Sequence, residues 1–502
     1  MTEFELRGIT KRFPGVVACN GVNLDIESGV LHCIVGENGA GKTTLMSLLY
    51  GLLQPDKGDI FVRGQPTTIA SPLHAIELGL GMVHQEFKLF PSLTVAENVV
   101  FRSEPTRLGW IDRKAANRKV EELAESYGLE VDPRARVEDL SVGVLQRVEI
   151  LKALYREASV LILDEPTAVL TPQERDRLFE VMRRLRDSGR TIVFITHKLA
   201  EVMAVADRIT VLRDGKVVSD LDPETTTPEE ISRHMTGRDL KPVTATPGVG
   251  DGELVLEVDS LHVEGRHGLM AVADVSFGVR AGEVVGVAAV AGNGQSELVE
   301  SIAGLRPVAS GTIRLQGHDI THSDVESRRS IGLSYIPEDR HRVGTAAAAS
   351  VAENLLMGYQ EEQSLRKGRW FDGEAVDHHA ETLTDDYDIR VSDSGVVAGT
   401  LSGGNLQRVI LAREMSHDSP LVIAQQPTRG VDIGAIEFIH TELLAARNRG
   451  RAILLVSAEL TEIQDLATRI LVMYEGRIVA ELPPDVDEAE IGLHMTGASG
   501  GG

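Results

Sequence analysis

Gly36-Glu37-Asn38-Gly39-Ala40-Gly41-Lys42-Thr43-Thr44 is the stretch on which the reading of this chain turns. It follows Leu31-His32-Cys33-Ile34-Val35, an apolar run of buried-strand length, and opens into an apolar 3.6-period stretch at Leu45, Leu48, Leu49 and Leu52. The order is strand, glycine loop, helix. Glycines let successive backbone N–H groups turn inward around phosphate oxygens, and the helix N-terminus adds positive potential. In such a cradle Lys42 reaches the β- and γ-phosphates and the Thr43 hydroxyl suits Mg²⁺.

Working outward, the chain repeats itself. Gln295, within Gly292-Asn293-Gly294-Gln295-Ser296-Glu297-Leu298, stands 253 positions after Lys42, and Glu338 stands 253 after Gln85. Val95-Ala96-Glu97-Asn98 returns as Val351-Ala352-Glu353-Asn354 at 256, and Leu140-Ser141 and Pro166-Thr167 return as Leu401-Ser402 and Pro427-Thr428 at 261. His234-Met235-Thr236-Gly237 recurs at 260 as His494-Met495-Thr496-Gly497. Two homologous domains are therefore expected, residues 1–240 and 253–497, joined by a linker at 241–252 and followed by a flexible small-residue tail at 498–502. Apolar runs such as Val160-Leu161-Ile162-Leu163 and Thr191-Ile192-Val193-Phe194-Ile195 alternate with helical patterns, which predicts parallel α/β layers. The register drifts across about residues 88–139 and 341–400, where polar helical patterns predict an inserted helical subdomain.

A chain of 502 residues exceeds one compact core, and 42% hydrophobic with 25% charged residues is a globular balance. No apolar run reaches the length of a membrane span, and the first residues lack the apolar core of a secretion signal, so the expected location is the cytosol. The net charge of −24, from 75 acidic and 51 basic residues, disfavours nucleic acid. No polybasic segment for lipid headgroups stands out, so membrane association is expected to run through a protein partner. The two cysteines, Cys19 and Cys33, fit a reducing compartment, and Cys33 reads as a small core residue.

Val160-Leu161-Ile162-Leu163-Asp164-Glu165-Pro166 is an apolar strand ending in adjacent carboxylates. Successive strand side chains point to opposite faces, so Asp164 can support Mg²⁺ while Glu165, past the strand end, turns toward water. Gln85 and His197, each unremarkable alone, complete the set of candidates.

With these motifs the chain resembles ATP-binding cassette (ABC) ATPases that carry two fused cassettes, over nearly its whole length. The resemblance implies two tandem P-loop NTPase domains, each with a RecA-like α/β core, an antiparallel β subdomain and a helical subdomain. It identifies residues 36–44 with the Walker A loop, Gln85 with the Q-loop and its Mg²⁺ contact, and Asp164 with Walker B. Glu165 matches the catalytic glutamate, His197 the switch histidine and Phe13 the ring that stacks on adenine. Leu140-Ser141-Val142-Gly143-Val144 and Leu401-Ser402-Gly403-Gly404-Asn405 match the two signatures.

In this family ATP lies between cassettes paired head to tail, so the resemblance implies pairing within the chain. One implied site combines Lys42, Thr43, Gln85, Asp164, Glu165 and His197 with Ser402, Gly403, Gly404, Asn405 and Asp432. The other combines Ala289, Gln295, Ser296, Glu338, Gln425, Gln426 and Ala458 with Val142, Val144 and Thr171. Nearly every part of the second is altered, so it is expected to hydrolyse poorly. The fused form with one impaired site resembles the ATPases of bacterial importers for simple sugars and nucleosides, closest to the nucleoside branch through Val148-Glu149-Ile150-Leu151-Lys152 and Gly434-Ala435-Ile436-Glu437-Phe438. Its implied partners are integral membrane permease subunits and, indirectly, an extracytoplasmic substrate-binding protein. The implied place is the cytoplasmic membrane face. The near alternative is the same role for a simple sugar; the remote one is a soluble tandem-cassette factor acting on the ribosome.

Overall fold

The computed structural model describes residues 2–14, 16–84, 87–107, 109–167, 170–239, 252–265, 268–290 and 292–497. The chain divides into two compact units, Met1–Leu240 and Lys241–Gly502.

In the first unit the strand before the glycine loop, Leu31–Val35, is buried at every position because both of its faces are covered. It lies inside a six-stranded sheet, between Arg208–Arg213 and Thr191–Thr196, followed by Val160–Asp164 and Leu80–Val83. These five run parallel, and Lys216–Leu221 closes one edge antiparallel. A second, antiparallel sheet of Val16–Glu27, Thr2–Phe13, Lys57–Val62 and Gln65–Pro66 packs its apolar face, including Phe4, Leu6 and Ile26, into the same core as Leu45, Met46, Leu48 and Leu49 of the helix Lys42–Leu49. Leu52, expected on that helical stripe, lies outside it at 49% exposure: Gly51, at φ +72°, ends the helix by taking a conformation that L-residues avoid.

The second unit repeats the plan. Its six-stranded sheet runs Leu333–Ile336, Leu421–Gln425, Ala452–Ser457, Val284–Ala288, Arg469–Tyr474 and Arg477–Leu482. Its four-stranded sheet holds Met270–Arg280, Leu254–Glu264, Ser310–Leu315 and His318–Asp319.

The drifting interval is a helical insert in each unit, with Val95–Val100 and Arg113–Tyr127 in the first and Val351–Leu356 and Gly373–Asp386 in the second, each followed by a further helix, Val142–Tyr155 and Gly403–Met415. The repeated Val-Ala-Glu-Asn has a local cause. Thr94 and Ser350 cap their helices, and Glu97 and Glu353 close reciprocal capping boxes. Asn98 then pins the preceding loop, accepting from Phe90 N at 2.8 Å and donating to Phe90 O at 3.1 Å; Asn354 does the same with Ala346 at 2.9 and 3.1 Å. Among the described residues no helix is long and apolar enough to cross a membrane.

Candidate functional site

In the first unit the glycine loop leaves the carboxyl end of a central strand, where open α/β sheets place their ligands. Its course is fixed by close approach. Gly41 sits at φ +100° and a Cβ there would run into the Ala18 carbonyl; a Cβ at Gly36 would run into that of Leu212. Neither position tolerates a side chain. Lys42 is 5% exposed, and its Nζ donates to Gly36 O at 2.6 Å and Glu37 O at 3.1 Å. Burial lowers its pKa against the pull of Glu165, Asp164 and Glu37, which shows that both carboxylates act on this ammonium.

Asp164 ends its strand 4% exposed. Burial, then the charge of Glu165, pushes its carboxyl up to about 6, while a hydrogen bond from Thr43 and the Lys42 charge pull the other way. A buried carboxylate held beside a hydroxyl, with an elevated affinity for positive charge, is a hard-oxygen pair of the kind Mg²⁺ takes. Glu165 follows at φ +46°, a left-handed turn that swings it off the strand and lets its N–H bond Ile195 O at 3.0 Å. Its Oε1 lies 3.0 Å from His197 Nδ1. Burial would push the Glu165 carboxyl up, but the His197 hydrogen bond and the charges of His197, Lys42 and Lys198 outweigh it and hold it below the ordinary glutamate range. Two neighbouring carboxylates thus have their affinities for a proton pushed apart, one toward a cation site and one toward a standing negative charge.

Thr43, Lys42, Asp164, Glu165 and His197 are brought together by these contacts. Phe13, at the end of its strand, is 41% exposed with Lys11 Nζ 5.9 Å from the ring centre. Gln85 lies outside the described residues, as does the Val142 side chain. Sequence reasoning missed Glu201. It is 3% exposed and accepts from Thr167 at 2.9 Å and Thr196 at 2.8 Å, tying the Pro166-Thr167 turn to the strand end beneath His197. Its only signal was a carboxylate four residues after His197.

The second unit keeps the backbone and changes the chemistry. Gly294, at φ +97°, abuts Ala271 O as Gly41 abuts Ala18 O. Gln295 Nε2 donates to Val290 O at 3.2 Å. Gln425, in the position of Asp164, accepts from the Tyr335 hydroxyl at 2.7 Å and donates to Ser296 Oγ at 3.2 Å. An N–H points where a metal would need an oxygen, so this centre does not fit Mg²⁺. Gln426 repeats the left-handed turn at φ +48°, but its Oε1 accepts from the Ala458 N–H at 3.1 Å and has no histidine to hold. Glu338 is taken up by Arg429. Ser296, Tyr335, Glu338, Gln425 and Arg429 line a cleft of about 480 Å³ that includes Glu300, Arg340 and Gly430. Tyr335 and Arg429 were not foreseen as parts of it.

The Ser402 turn heads a 13-residue helix, Gly403–Met415, with Ser402 Oγ accepting from Asn405 N at 3.4 Å. Arg340 donates to Gly403 O at 3.1 Å, and Asn405 is clamped to the backbone of Arg390. A Cβ at Gly404 would press on Asp432, the N-cap of the next helix, so the turn is held from below. In the first unit the equivalent space beside Gly143 is occupied by Glu174, which closes a capping box with Thr171.

A family profile described as ABC transporter matches residues 19–168 and 272–429. The chain is 45% identical over 497 residues to the guanosine import ATP-binding protein NupO of Bacillus subtilis, covering 99% of this chain and 97% of that one. It is 46% identical over 528 residues to the glucose import ATP-binding protein TsgD13 of Haloferax volcanii, covering 98% and 95%. Among solved structures, the archaeal ribosome recycling factor aABCE1, in complex with the ribosomal stalk protein aP1, matches at a TM-score of 0.62 and 20% identity over 95% of this chain and 90% of that one, a likeness of fold alone.

Proposed function

Because this chain belongs to the ABC transporter family and is an ATP hydrolase coupled to import, we propose that it energises uptake of nucleosides through a separate membrane permease fed by an extracytoplasmic binding protein. The observation that carries the hydrolytic part is the contact set of one unit: Lys42 within the field of Asp164 and Glu165, Thr43 on Asp164, and His197 on Glu165.

These contacts support the roles of Lys42, Thr43, Asp164, Glu165 and His197, and the family resemblance supports those of Gln85 and Phe13. Backbone N–H groups of residues 36–44 and the Lys42 ammonium bind the β- and γ-phosphates of ATP, and Phe13 offers a face to adenine. Thr43 and Asp164, with Gln85, would hold Mg²⁺, which supplies charge neutralisation at the phosphates. Glu165, ionised and fixed by His197, orients the attacking water and takes its proton. The second unit has Gln425 and Gln426 in place of Asp164 and Glu165, and we assign it the part its intact Ser402, Gly403, Gly404 and Asn405 turn supports, donating N–H groups to a nucleotide γ-phosphate.

Ser402→Arg tests that last assignment: hydrolysis should be lost although no catalytic carboxylate is touched, and a normal rate would remove Ser402 from the site. The relative that handles glucose is as similar as the one that handles guanosine, so a simple sugar is the specific rival substrate. Uptake of labelled guanosine and glucose by cells carrying this chain with its permease decides between them. Guanosine-dependent stimulation of ATP hydrolysis supports the proposal; stimulation by the sugar alone replaces it.

A further inference from the structure

The chain has two tryptophans, Trp110 and Trp370, 260 positions apart, and the fold places them identically. Each stands on a two-stranded ribbon just ahead of a long helix of the insert: Thr106–Arg107 with Trp110–Ile111, and Arg366–Lys367 with Trp370–Phe371. They are 82% and 81% exposed, the most exposed large apolar side chains among the described residues. Their ribbon neighbours Ile111 and Phe371 are exposed by 58% and 46%.

Register adds a second feature. Arg107 pairs directly across from Trp110, and Lys367 directly across from Trp370. Cross-strand partners share a face, so each tip carries an indole and a cation side by side. Around the first ribbon, residues 102–119 carry six basic against two acidic side chains, in a chain of net charge −24. Arg107 and Lys114 have no ion-pair partner among the described residues, whereas Arg113 pairs with Glu97. The second ribbon is less basic: Lys367 pairs with Asp372 and Arg366 with Glu361, leaving Arg369.

We propose that these ribbons are interfacial anchors for an anionic lipid surface, the first stronger than the second. The proposal rests on the reading above only in that such a subunit works beside a membrane. Indole rings settle at the headgroup level, and neighbouring Arg and Lys side chains meet anionic headgroups while their stems cover apolar surface. A small-molecule ligand seeks a concave, pre-shaped site. A protruding tip with its ring more than four-fifths exposed suits entry into a fluid boundary instead. The acidic remainder of the surface does not cancel this, because charges beyond about 8 Å are screened at physiological salt. The basic excess over residues 102–119 is visible in the linear sequence, and pairing across the ribbon sets a cation beside each indole.

Both indoles lie in the proposed contact, so the intact protein reports on itself through tryptophan emission. With vesicles of phosphatidylcholine mixed with phosphatidylglycerol, the emission should shift to the blue and acrylamide quenching should fall; with phosphatidylcholine alone neither should occur, and high salt should reverse both. Trp110→Ala should remove more of the vesicle binding than Trp370→Ala while ATP hydrolysis in solution stays unchanged, and Arg107→Ser should weaken partitioning about five-fold, the worth of one basic residue at such a surface. No shift on the mixed vesicles, or an equal shift on both kinds, overturns the proposal. So does shielding of the indoles only when the permease is present, which would make them a protein contact. Failure of the wild-type protein to hydrolyse ATP strikes the functional reading and leaves the vesicle result standing.

Discussion

Replacing Glu165 by Gln removes one negative charge and almost nothing else. The amide oxygen can still accept from His197 at the 3.0 Å now spanned by the carboxylate, and the left-handed backbone at Glu165 is unchanged in its demands. What disappears is proton acceptance from the attacking water. Positioned general bases contribute about a hundred- to ten-thousand-fold, or about 3–5 kcal/mol of barrier at 1.36 kcal/mol per decade. ATP affinity should hold or rise, because the phosphates then face Asp164 without a second acid beside it. The assay is steady-state phosphate release together with nucleotide retention on the purified protein: kcat should fall at least a hundred-fold while ATP stays bound. A fall of less than about ten-fold, below the range for a lost base, would refute the role argued for Glu165. A parallel loss of binding would mean that the substitution had damaged the cradle rather than the chemistry.

Lys42→Ala should cost about a hundred-fold or more in kcat/KM, the scale of a lost preorganised donor to developing charge, while Gln295→Ala should change the rate by no more than about two-fold, near 0.5 kcal/mol; parallel phosphate-release assays on both variants check this, and equal losses would show that both units hydrolyse. The Asp164 carboxyl sits at about 6 in the fold against 3.8 as a free side chain, so ionising it as pH rises through 6 costs the folded state. Asp164→Asn should therefore stabilise the nucleotide-free protein at pH 8 by about 3 kcal/mol and leave it unchanged below pH 4, as read from urea unfolding at the two pH values. Asn98→Ala strands the Phe90 backbone groups at a site 2% exposed and should lower unfolding free energy by about 1–3 kcal/mol, seen as a lower urea midpoint at constant slope.

The fold was legible because its two strongest signals are local and redundant. Leu31–Val35, Val160–Asp164 and Thr191–Thr196 are mostly apolar and buried at every position, as strands covered on both faces are, and each recurs in the second half. Lys42, Asp164 and Glu165 were legible because charged residues at the ends of such runs have few structural reasons to be there. His197 took its meaning only from family pattern, and the structure supplies the physical one, contact with Glu165. What stayed hidden depends on distance in space rather than in sequence. Glu201 acts by reaching two threonines from different turns, Tyr335 by reaching across one strand to Gln425, and the ribbons are two residues per strand, too short to show a period.

The second centre shows why the divergence between the units is stable. Losing Lys, Asp and Glu from a buried cradle would ordinarily leave partners unpaired, each costing about 1–3 kcal/mol. Here the replacements mostly satisfy one another: Gln425 takes the Tyr335 proton and gives one toward Ser296, Gln426 takes the Ala458 N–H, and Arg429 neutralises Glu338, while Gln295 Oε1 alone remains buried without a partner. An ammonium and two carboxylates were exchanged for amide hydrogen bonds and one ion pair. Reversion at a single position would break that set without rebuilding the first unit's arrangement, since an acid at 425 would face Glu338 with no Lys42-like ammonium nearby and no donor left for Ser296. The second centre is thus a self-consistent local structure, and the hydrolysis proposed above is assigned to the unit in which Asp164 and Glu165 are still opposed by Lys42.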